Sequence, residues 1–217
     1  MKNAIVLCSG GLDSVVTAFY VREKLNYGKI VILFFDYGQR ALEREGECAR
    51  MCAEMLGAEF KKIKLSGLSG LLVDGSEAVE LSEKDLKDTK KEGGKWYMPQ
   101  RNLIFLSYAL SFAESVGGAD IFVGFENEGQ EHYPDTTSEF VEKVNQLAEG
   151  SVKVIAPFIE KDKEDIISIG GKFGVDFTKT FSCYVGLEKH CGKCLACKLR
   201  MAGFKWSEIE DPTDYGG

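Results

Sequence analysis

The residues that point most directly to chemistry form a short loop near the N-terminus, Ser9-Gly10-Gly11-Leu12-Asp13-Ser14. Glycine lets a backbone approach an anion without a Cβ clash, and a helix that follows such a loop offers free N–H groups and the positive end of its dipole. The two serine hydroxyls add hydrogen-bond donors. The Asp13 carboxylate would repel a bare phosphate, so we expect it to act through Mg²⁺. The loop therefore predicts a nucleotide-phosphate site, although it lacks the Gly-Lys-Ser/Thr ending of a Walker A loop.

Four of the seven cysteines form a second informative cluster near the C-terminus, Cys183, Cys191, Cys194 and Cys197. Zn²⁺ prefers a tetrahedral set of thiolates, and short loops can wrap around it. Because four protein ligands leave no open coordination position, we predict a structural zinc site. An iron–sulfur cluster, which also takes four cysteines, and unligated thiols are the alternatives.

The other cysteines and the neighbouring histidine have different expected environments. Cys8, Cys48 and Cys52 lie on apolar faces of predicted elements, so we predict that they are core residues. His190 directly precedes Cys191 and has little reach to the same ion, so we predict a surface residue or one that supports the ligands. The odd cysteine count and the lack of an export signal argue against a disulfide framework.

The elements that must position these residues alternate along the chain. Apolar runs predict strands at residues 3–8 and 29–36, and further strands are predicted at residues 58–65, 119–124 and 152–156. Apolar residues at helical spacing predict helices at residues 13–27, 39–56, 102–116, 137–150 and 163–173. This order predicts an α/β fold with an open parallel sheet of about five strands and helices on both faces. Ligands of such sheets bind at the carboxyl ends of the strands, where the phosphate loop lies.

The chain divides into two predicted parts. Residues 1–176 form the α/β domain, and residues 177–217 form a small zinc-binding subdomain and tail without strong periodicity. Within the first part, residues 66–95 are rich in glycine, serine and charge, with a short helix predicted near 82–88. This insertion is either a solvated surface loop or a lid that closes over substrate.

The net charge of the chain indicates which classes of partner it can bind. Lys and Arg number 27 and Asp and Glu number 34, which gives a net charge of −7. Because binding to nucleic acid relies on clustered cations, we expect a small-molecule substrate instead. No apolar stretch approaches the roughly 18 residues that a membrane-spanning helix needs, and the N-terminus lacks a signal-peptide pattern. We expect a cytoplasmic protein that does not enter a membrane.

The phosphate loop resembles the signature of the ATP pyrophosphatases, a superfamily with a Rossmann-like fold of the HUP type. The superfamily includes the synthetases for NAD, GMP, asparagine and argininosuccinate and the tRNA-thiolating enzymes. These enzymes typically cleave ATP between the α and β phosphates. A substrate oxygen becomes an adenylate, which a nucleophile then displaces.

Further motifs narrow the resemblance. They are Asp36-Tyr37-Gly38-Gln39-Arg40, Pro99-Gln100-Arg101-Asn102, Tyr133-Pro134-Asp135, Ser182-Cys183-Tyr184, the run from Cys191 to Arg200, and Asp211-Pro212-Thr213-Asp214-Tyr215. In this order and spacing, over nearly the whole chain, they resemble the 7-cyano-7-deazaguanine synthase family.

The resemblance implies an ATP-dependent ligase that forms carbon–nitrogen bonds. Members of the family convert 7-carboxy-7-deazaguanine and ammonia to the nitrile through an adenylated carboxylate and an activated amide, for queuosine-type tRNA modification. The resemblance further implies ATP, Mg²⁺, structural Zn²⁺ and a homodimer. The chain length leaves no room for a glutamine-hydrolysing domain, so we expect ammonia to be free or delivered in trans.

Resemblance and chain position together predict the site residues. The predicted ATP-binding residues are Ser9, Gly10, Gly11, Leu12, Asp13, Ser14, Asp36, Tyr37, Gln39, Arg101 and Asn102. The predicted catalytic residues are Asp13, Ser14, Arg101 and Lys163, of which Arg101 and Lys163 would contact phosphate. The predicted substrate-binding residues are Tyr133, Asp135, Phe181 and Tyr184. Alternatively, Asp36 and Asp135 each cap the helix that follows, and the two aromatic residues Phe181 and Tyr184 pack in the core.

One segment departs from the family pattern, between residues 124 and 137. An aspartate is expected where Gly129 stands, Ser-Gly where Glu131-His132 stands and Cys-Arg where Thr136-Thr137 stands. Outside the segment, Gln100 replaces the usual glycine before Arg101.

These departures lie near the expected substrate pocket and spare the phosphate loop and the cysteines. They leave open a relative that stops at the amide or joins the activated carboxylate to another amine, including one on a protein. A tRNA sulfur transferase and a non-enzymatic zinc-binding module are further alternatives, and the negative charge and clustered thiols argue against the transferase.

Overall fold

The computed structural model of the protein describes residues 1–68, 96–128, 133–148, 150, 152–185 and 188–216. Most of the predicted insertion at 66–95, including its predicted helix near 82–88, lies outside these residues. So do Gly129, Glu131 and His132, which depart from the family pattern.

Within the described residues, five strands form one parallel sheet. The strands are β1 (Asn3–Leu7), β2 (Ile30–Asp36), β3 (Glu59–Lys64), β4 (Ala119–Val123) and β5 (Val154–Ile155). Their order across the sheet is β3-β2-β1-β4-β5. The predicted open parallel sheet is therefore confirmed, with β1 at its centre.

Helices connect the strands and follow them. They are α1 (Leu12–Lys24), α2 (Leu42–Leu56), α3 (Arg101–Ser115), α4 (Ser138–Leu147), α5 (Lys163–Lys172) and α6 (Leu195–Ser207). Among the residues that the structure describes, short 3₁₀ turns lie at Pro134–Thr136 and Phe177–Lys179. In the part of the chain that the structure describes, no helix has both the length and the hydrophobicity to cross a membrane.

Helices cover both faces of the sheet because alternate side chains of the buried strands point to opposite faces. On one face, Val6 of β1 belongs to a core that includes Val16 of α1 and Ile166 of α5. On the other face, Ile5 of β1 belongs to a core that includes Leu106 of α3. This two-sided core holds the carboxyl ends of the strands in fixed relation to the helices that follow them.

Helix α6 was not predicted, since glycine, lysine and cysteine residues interrupt its apolar pattern. It packs directly on α5 at Gly203, where a Cβ would lie 2.5 Å from Cγ of Lys163. Its Phe204 ring meets the ring of Phe177 edge-on, with centroids 5.2 Å apart. The cysteine-rich C-terminal segment is therefore joined to the α/β core by close helix packing.

Gly10 of the phosphate loop has a φ of +78°, in the left-handed region that favours glycine. A Cβ at this position would lie 2.3 Å from the carbonyl oxygen of Glu45 in α2. We expected glycine here because a bound anion must approach the backbone. The structure gives a second reason, since α2 packs so closely against Gly10 that a side chain would not fit. The loop and α2 are thus in direct backbone contact.

Candidate functional site

The phosphate loop connects β1 to α1 at the carboxyl end of the central strand. Ser14 Oγ donates a hydrogen bond to the carbonyl of Gly11 at 3.0 Å, and the Gly11 N–H donates to Ser9 Oγ at 3.3 Å. The two serines therefore stabilise the turn. No side chain among the described residues caps the start of α1. The first N–H groups of this helix remain free to bind an anion at the positive end of the dipole.

Lys163 is the first residue of α5, and its ammonium group is buried among acidic side chains. Its Nζ lies 2.7 Å from Oδ1 of Asp13, 3.7 Å from Oε1 of Glu126 and 3.8 Å from Oε2 of Glu128. Burial alone would lower the pKa of Lys163, but these carboxylates hold it above its ordinary value. Burial raises the pKa of Glu128 to about 8. Asp13 is thereby tied to α5 within one coupled group of charges.

The residues that follow β4 were not predicted as site residues. A Cβ on Gly124 would lie 2.8 Å from the backbone nitrogen of Ser14, so glycine lets the strand end beside the start of α1. Glu126 and Glu128 follow it and reach Lys163. The sequence feature that could have identified them is the pair of acidic residues that follows a buried strand, because ligands of parallel sheets bind at the carboxyl ends of the strands.

Arg101 begins α3 and contacts two aromatic rings. Its Nη1 donates to the hydroxyl of Tyr37 at 3.3 Å, and its guanidinium lies 5.8 Å from the ring centroid of Tyr37 and 5.9 Å from that of Phe105. Its Nε is buried and has no hydrogen-bond partner among the described residues. An unsatisfied buried donor is costly, so this nitrogen indicates a place for a ligand acceptor.

Asp135 supports the start of α3. Its Oδ2 accepts a hydrogen bond from the backbone N–H of Asn102 at 3.0 Å, and the Asn102 amide donates back to the Asp135 carbonyl at 3.1 Å. Capping of the following helix was the alternative for Asp135, but that helix, α4, is capped by Thr137. Gln100 precedes α3 with a φ of +57°, a conformation that explains why glycine is usual at this position.

Three adjoining cavities meet at this end of the sheet. The sheet-edge cavity, of about 280 Å³, lies over β1, β2 and β4 and is lined by Leu33, Phe105, Val123 and the phosphate loop. The loop cavity, of about 180 Å³, is lined by Ser9, Asp13, Lys163, Ser182 and Arg200. The aromatic cavity, of about 160 Å³, is lined by Tyr37, Trp96, Tyr133, Tyr184, Glu45 and Arg101. Glu45, Tyr133 and Tyr184 line all three, so a ligand in one cavity can reach a ligand in the next.

Arg200 of α6 supplies a buried positive charge to the loop cavity. Its guanidinium donates to the hydroxyls of Thr213, Thr180 and Ser182 at 2.7, 2.8 and 3.1 Å and to the carbonyl of Phe177 at 2.9 Å. All of these acceptors are neutral, and no carboxylate of the described residues lies within ion-pair distance of it. Arg200 belonged to the predicted cysteine motif without a role, and in the structure it brings a buried guanidinium to the wall of the loop cavity.

The four clustered cysteines lie together in the fold, as predicted. All are buried, and their Sγ atoms lie within 4.8 Å of one another. The Sγ atoms of Cys191 and Cys197 are 3.9 Å apart and those of Cys194 and Cys183 are 4.0 Å apart. Tetrahedral zinc–sulfur bonds would set sulfur atoms about 3.8 Å apart. The set therefore fits a single ion better than an iron–sulfur cluster, whose several iron atoms separate the thiolates.

Backbone N–H groups complete the surroundings of the thiol groups. Those of Val185, Lys193 and Cys194 donate to Sγ atoms of the cluster at 3.3–3.4 Å. Such hydrogen bonds stabilise the negative charge of metal-bound thiolates. Cys8, Cys48 and Cys52 are buried, as predicted for core residues. None of the three belongs to the four-cysteine set, although Cys48 lies in the same group of packed buried residues.

His190 is buried, which corrects the prediction of a surface position. Its Nε2 accepts a hydrogen bond from the backbone N–H of Ser182 at 3.0 Å. Burial, assisted by the charge of Arg200, lowers the pKa of His190 to about 4. The ring is therefore neutral near pH 7, and it supports the segment that carries Cys183.

Some of the remaining predicted site residues line the cavities, and others make contacts elsewhere in the fold. Tyr37, Gln39, Arg101, Asn102, Tyr133 and Tyr184 line the sheet-edge cavity, and Leu12 lines the loop cavity. The Asp36 carboxylate instead pairs with Lys62 of β3 at 3.0 Å, and it caps no helix because α2 starts after Ala41. Phe181 borders the loop cavity. Its ring packs on that of His190 with centroids 4.6 Å apart, and its N–H donates to the Gly10 carbonyl at 2.9 Å.

Comparison with known proteins adds a family to this geometry. The sequence model of the family described as "Queuosine biosynthesis protein QueC" matches residues 3–208. The chain is 36% identical to the 7-cyano-7-deazaguanine synthase of Methanothermobacter thermautotrophicus, over 98% of this chain and 99% of the relative. It is 38% identical to that of Clostridium kluyveri, over 100% of this chain and 99% of the relative.

A solved structure with a similar fold is the NMN synthetase of Francisella tularensis. The TM-score is 0.54 at 13% sequence identity, and the match covers 97% of this chain and 78% of that one. At this identity the likeness concerns the fold alone. It agrees with the α/β architecture described above.

Replacement of Lys163 tests the buried charge cluster. Lys163→Met leaves Asp13, Glu126 and Glu128 without their cation, so the free energy of unfolding should fall by about 3 kcal/mol at pH 8. The loss should shrink at pH 5.5, because Glu126 and Glu128, whose pKa values burial already raises, then bind protons. Urea denaturation at the two pH values measures both effects.

Lys161→Met is the matched control, because its ammonium is half exposed and lies 3.8 Å from Asp165. An exposed pair of this kind contributes little to stability, so the control should remain near the wild type. Equal stability of Lys163→Met and Lys161→Met at pH 8 would contradict the role of the cluster.

Removal of a cysteine tests the metal site. Elemental analysis of the purified chain should find one metal ion per chain, and Cys194→Ser should lose it and unfold at a lower temperature, since metal binding contributes folding energy. Cys52→Ser changes a buried thiol outside the cluster and should keep the ion. Several iron atoms per chain, or full metal content in Cys194→Ser, would rule out the single-ion site.

Proposed function

The chain belongs to the QueC family of queuosine biosynthesis proteins, and we propose that it is an ATP-dependent carbon–nitrogen ligase. Its substrates are 7-carboxy-7-deazaguanine and ammonia, and its product is 7-cyano-7-deazaguanine. The observation that carries the proposal is the meeting of three cavities, one with an uncapped helix start, one with buried cations and one with aromatic walls. This arrangement suits a nucleotide and a flat second substrate side by side.

ATP is proposed to occupy the sheet-edge and loop cavities. The apolar walls from Leu33 to Phe105 suit the adenosine, and the phosphates would accept hydrogen bonds from the first turn of α1. Lys163 and Arg200 bring positive charge to the loop cavity. Cations fixed in a buried site stabilise the charge that develops on phosphate during transfer.

Two metal ions are proposed with different tasks. Asp13, Glu126 and Glu128 offer the oxygen ligands that Mg²⁺ prefers, and Oε2 of Glu128 is buried without a hydrogen-bond partner among the described residues. Mg²⁺ in this cluster would offset the charge of the triphosphate. The four cysteines would hold Zn²⁺, which their spacing suits. With no open position, that ion is structural.

The reaction is proposed to use two molecules of ATP at one site. A carboxylate oxygen of the substrate attacks the α-phosphorus, and pyrophosphate leaves. Ammonia then attacks the acyl carbon, and AMP leaves with that oxygen to give the amide. In the second round the amide oxygen attacks the α-phosphorus of another ATP, and pyrophosphate leaves again. The nitrogen loses its protons as the second AMP departs, and the carbon–nitrogen triple bond forms.

Arg101 is proposed to hold the reacting carboxylate or phosphate. Its unpartnered Nε and its position in the walls of both the sheet-edge and aromatic cavities support this role. Asp135 would act through Arg101 by fixing the start of α3. The homodimer implied by the resemblance is part of the proposal, and light scattering of the purified chain measures it.

Mass spectrometry of the product tests the function. The chain is incubated with Mg-ATP, ammonium and 7-carboxy-7-deazaguanine, and the base and nucleotides are followed together. We expect the nitrile, with two AMP and two pyrophosphate for each molecule formed. Asp13→Asn should slow the reaction by roughly 100-fold, because a group at the charge-developing centre is lost. Asp165→Asn, an exposed change on α5, should not.

Other products would contradict the proposal in distinguishable ways. Accumulation of the amide with one AMP would show that the second activation is absent. A stable adduct on another amine, formed without ammonium, would show a different acceptor. Release of ADP in place of AMP would exclude adenylation altogether.

A further inference from the structure

Glu45 of α2 lies where the sheet-edge, loop and aromatic cavities meet, and the function above gives it no task. Its Oε2 accepts a hydrogen bond from Nε2 of Gln39 at 3.0 Å. No lysine or arginine of the described residues forms an ion pair with it. Partial burial raises the pKa of this carboxyl, and Gln39 and the charge of Arg101 oppose that shift. A carboxylate held at a cavity wall without a cation is costly unless a ligand supplies donors.

Gln39 fixes the direction from which such donors must come. Its Oε1 accepts from the backbone N–H of Tyr37 at 3.0 Å, and its Nε2 donates both to the Phe35 carbonyl at 3.0 Å and to Glu45. The amide is thus locked by backbone groups and presents an N–H to Oε2 of Glu45. The other oxygen of Glu45, Oε1, accepts no hydrogen bond from the described residues and is left for a ligand.

The walls around Glu45 suit a flat ring. Trp96 and Tyr184 pack with centroids 5.1 Å apart at 38°, and Tyr37 and Tyr133 also line the aromatic cavity. Aromatic side chains bind planar heterocycles through their faces and leave the ring edge to polar groups. Beside these rings, Glu45 supplies the only carboxylate among the described residues that line the aromatic cavity.

The edge that fits Glu45 carries two adjacent donors, because an ionised carboxylate only accepts hydrogen bonds and has two oxygens in one plane. A 2-amino-4-oxopyrimidine ring, as in 7-carboxy-7-deazaguanine, has such an edge in its ring N1–H and its exocyclic amino group. The corresponding edge of adenine has one donor next to one acceptor, so the carboxylate matches the deazaguanine and not the nucleotide base.

We propose, resting on the function proposed above, that Glu45 is the residue that selects the substrate by accepting hydrogen bonds from the N1–H and the 2-amino group. Gln39 positions the carboxylate for this contact, and the aromatic cavity holds the ring system. A ring that lacks the amino group leaves part of the charged acceptor unsatisfied. Sites built to hydrogen-bond a ligand reject analogues that lack the partner group.

Binding measurements without turnover test this selection. Wild type and Glu45→Gln are titrated calorimetrically with 7-carboxy-7-deazaguanine, with the analogue that lacks the 2-amino group, and with ATP. Wild type should bind the parent compound about 30-fold more tightly than the analogue, as expected for a hydrogen bond to a charged group. Glu45→Gln should bind the parent about 30-fold more weakly, discriminate less between the two bases, and bind ATP within about threefold of wild type.

Glu47→Gln is the matched control, since Glu47 lies on the same helix, is exposed and pairs with Arg44. It should bind both bases as the wild type does. The comparison of the two bases on the wild type requires no folded variant. It decides whether the site recognises the 2-amino group even if Glu45→Gln is unstable.

Four results would overturn the assignment. Equal binding of the two bases by the wild type would show that the amino group is not read. Unchanged base affinity in Glu45→Gln would remove Glu45 from recognition while leaving the proposed function intact. A loss of ATP affinity as large as the loss of base affinity would assign Glu45 to the nucleotide. If the wild type binds neither base, both this assignment and the proposed function are wrong.

Discussion

The ion pair between Lys163 and Asp13, with charged atoms 2.7 Å apart, joins parts of the chain that are 150 positions apart in sequence. Asp13 lies in the first turn of α1, and Lys163 begins α5. The stem of Lys163 packs against Gly203 of α6, where no side chain would fit. Displacement of α1 or α5 would leave a buried charge unpaired, which costs several kcal/mol, and α6 packs against the stem of that same lysine. The ion pair therefore sets the position of the phosphate loop relative to the C-terminal segment.

Positive charge in the loop cavity depends on the same packing. Arg200 is held by neutral acceptors from two segments, the turn at Phe177–Lys179 with its C-cap Thr180 and the C-terminal tail at Thr213, so its charge remains available to an anion. It lies on α6 one turn after Cys197, and α6 starts at the cysteine cluster. A metal ion in that cluster would fix the start of α6 and, through it, the direction of the guanidinium. The cysteine site and the loop cavity are thus joined by the first two turns of one helix.

Much of the fold could be predicted from the sequence because its strands are nearly all apolar and its loops carry glycine. A buried parallel strand such as β2 appears in the sequence as a continuous run of apolar residues. The spacing of the cysteines predicted a cluster, which the structure confirms. Helix α6 was missed because its buried face includes Arg200, which a hydrophobic pattern counts as exposed. The hydrogen bonds of Arg200 exist only after distant segments have come together.

Site residues that lie in one continuous motif could be predicted from the sequence. Residues that meet only after the chain has folded were harder to predict. The phosphate loop is continuous in sequence, whereas Glu126 and Glu128 gain meaning only when Lys163 reaches them. Asp135 was predicted to bind substrate or to cap the following helix, but its partner in the structure is the start of α3, which no local pattern could indicate. Asp36 ends a strand in the expected place, and its pairing with Lys62 depends on the register of β3.

The central claim is that the substrate's own oxygen atoms attack the α-phosphorus of ATP at this loop. The most direct measurement uses 7-carboxy-7-deazaguanine labelled with ¹⁸O in both carboxylate oxygens and follows the label by mass spectrometry of the nucleotides. Adenylation predicts one ¹⁸O atom in each AMP released, with none in pyrophosphate. Label in water or in inorganic phosphate, with unlabelled AMP, would contradict the account.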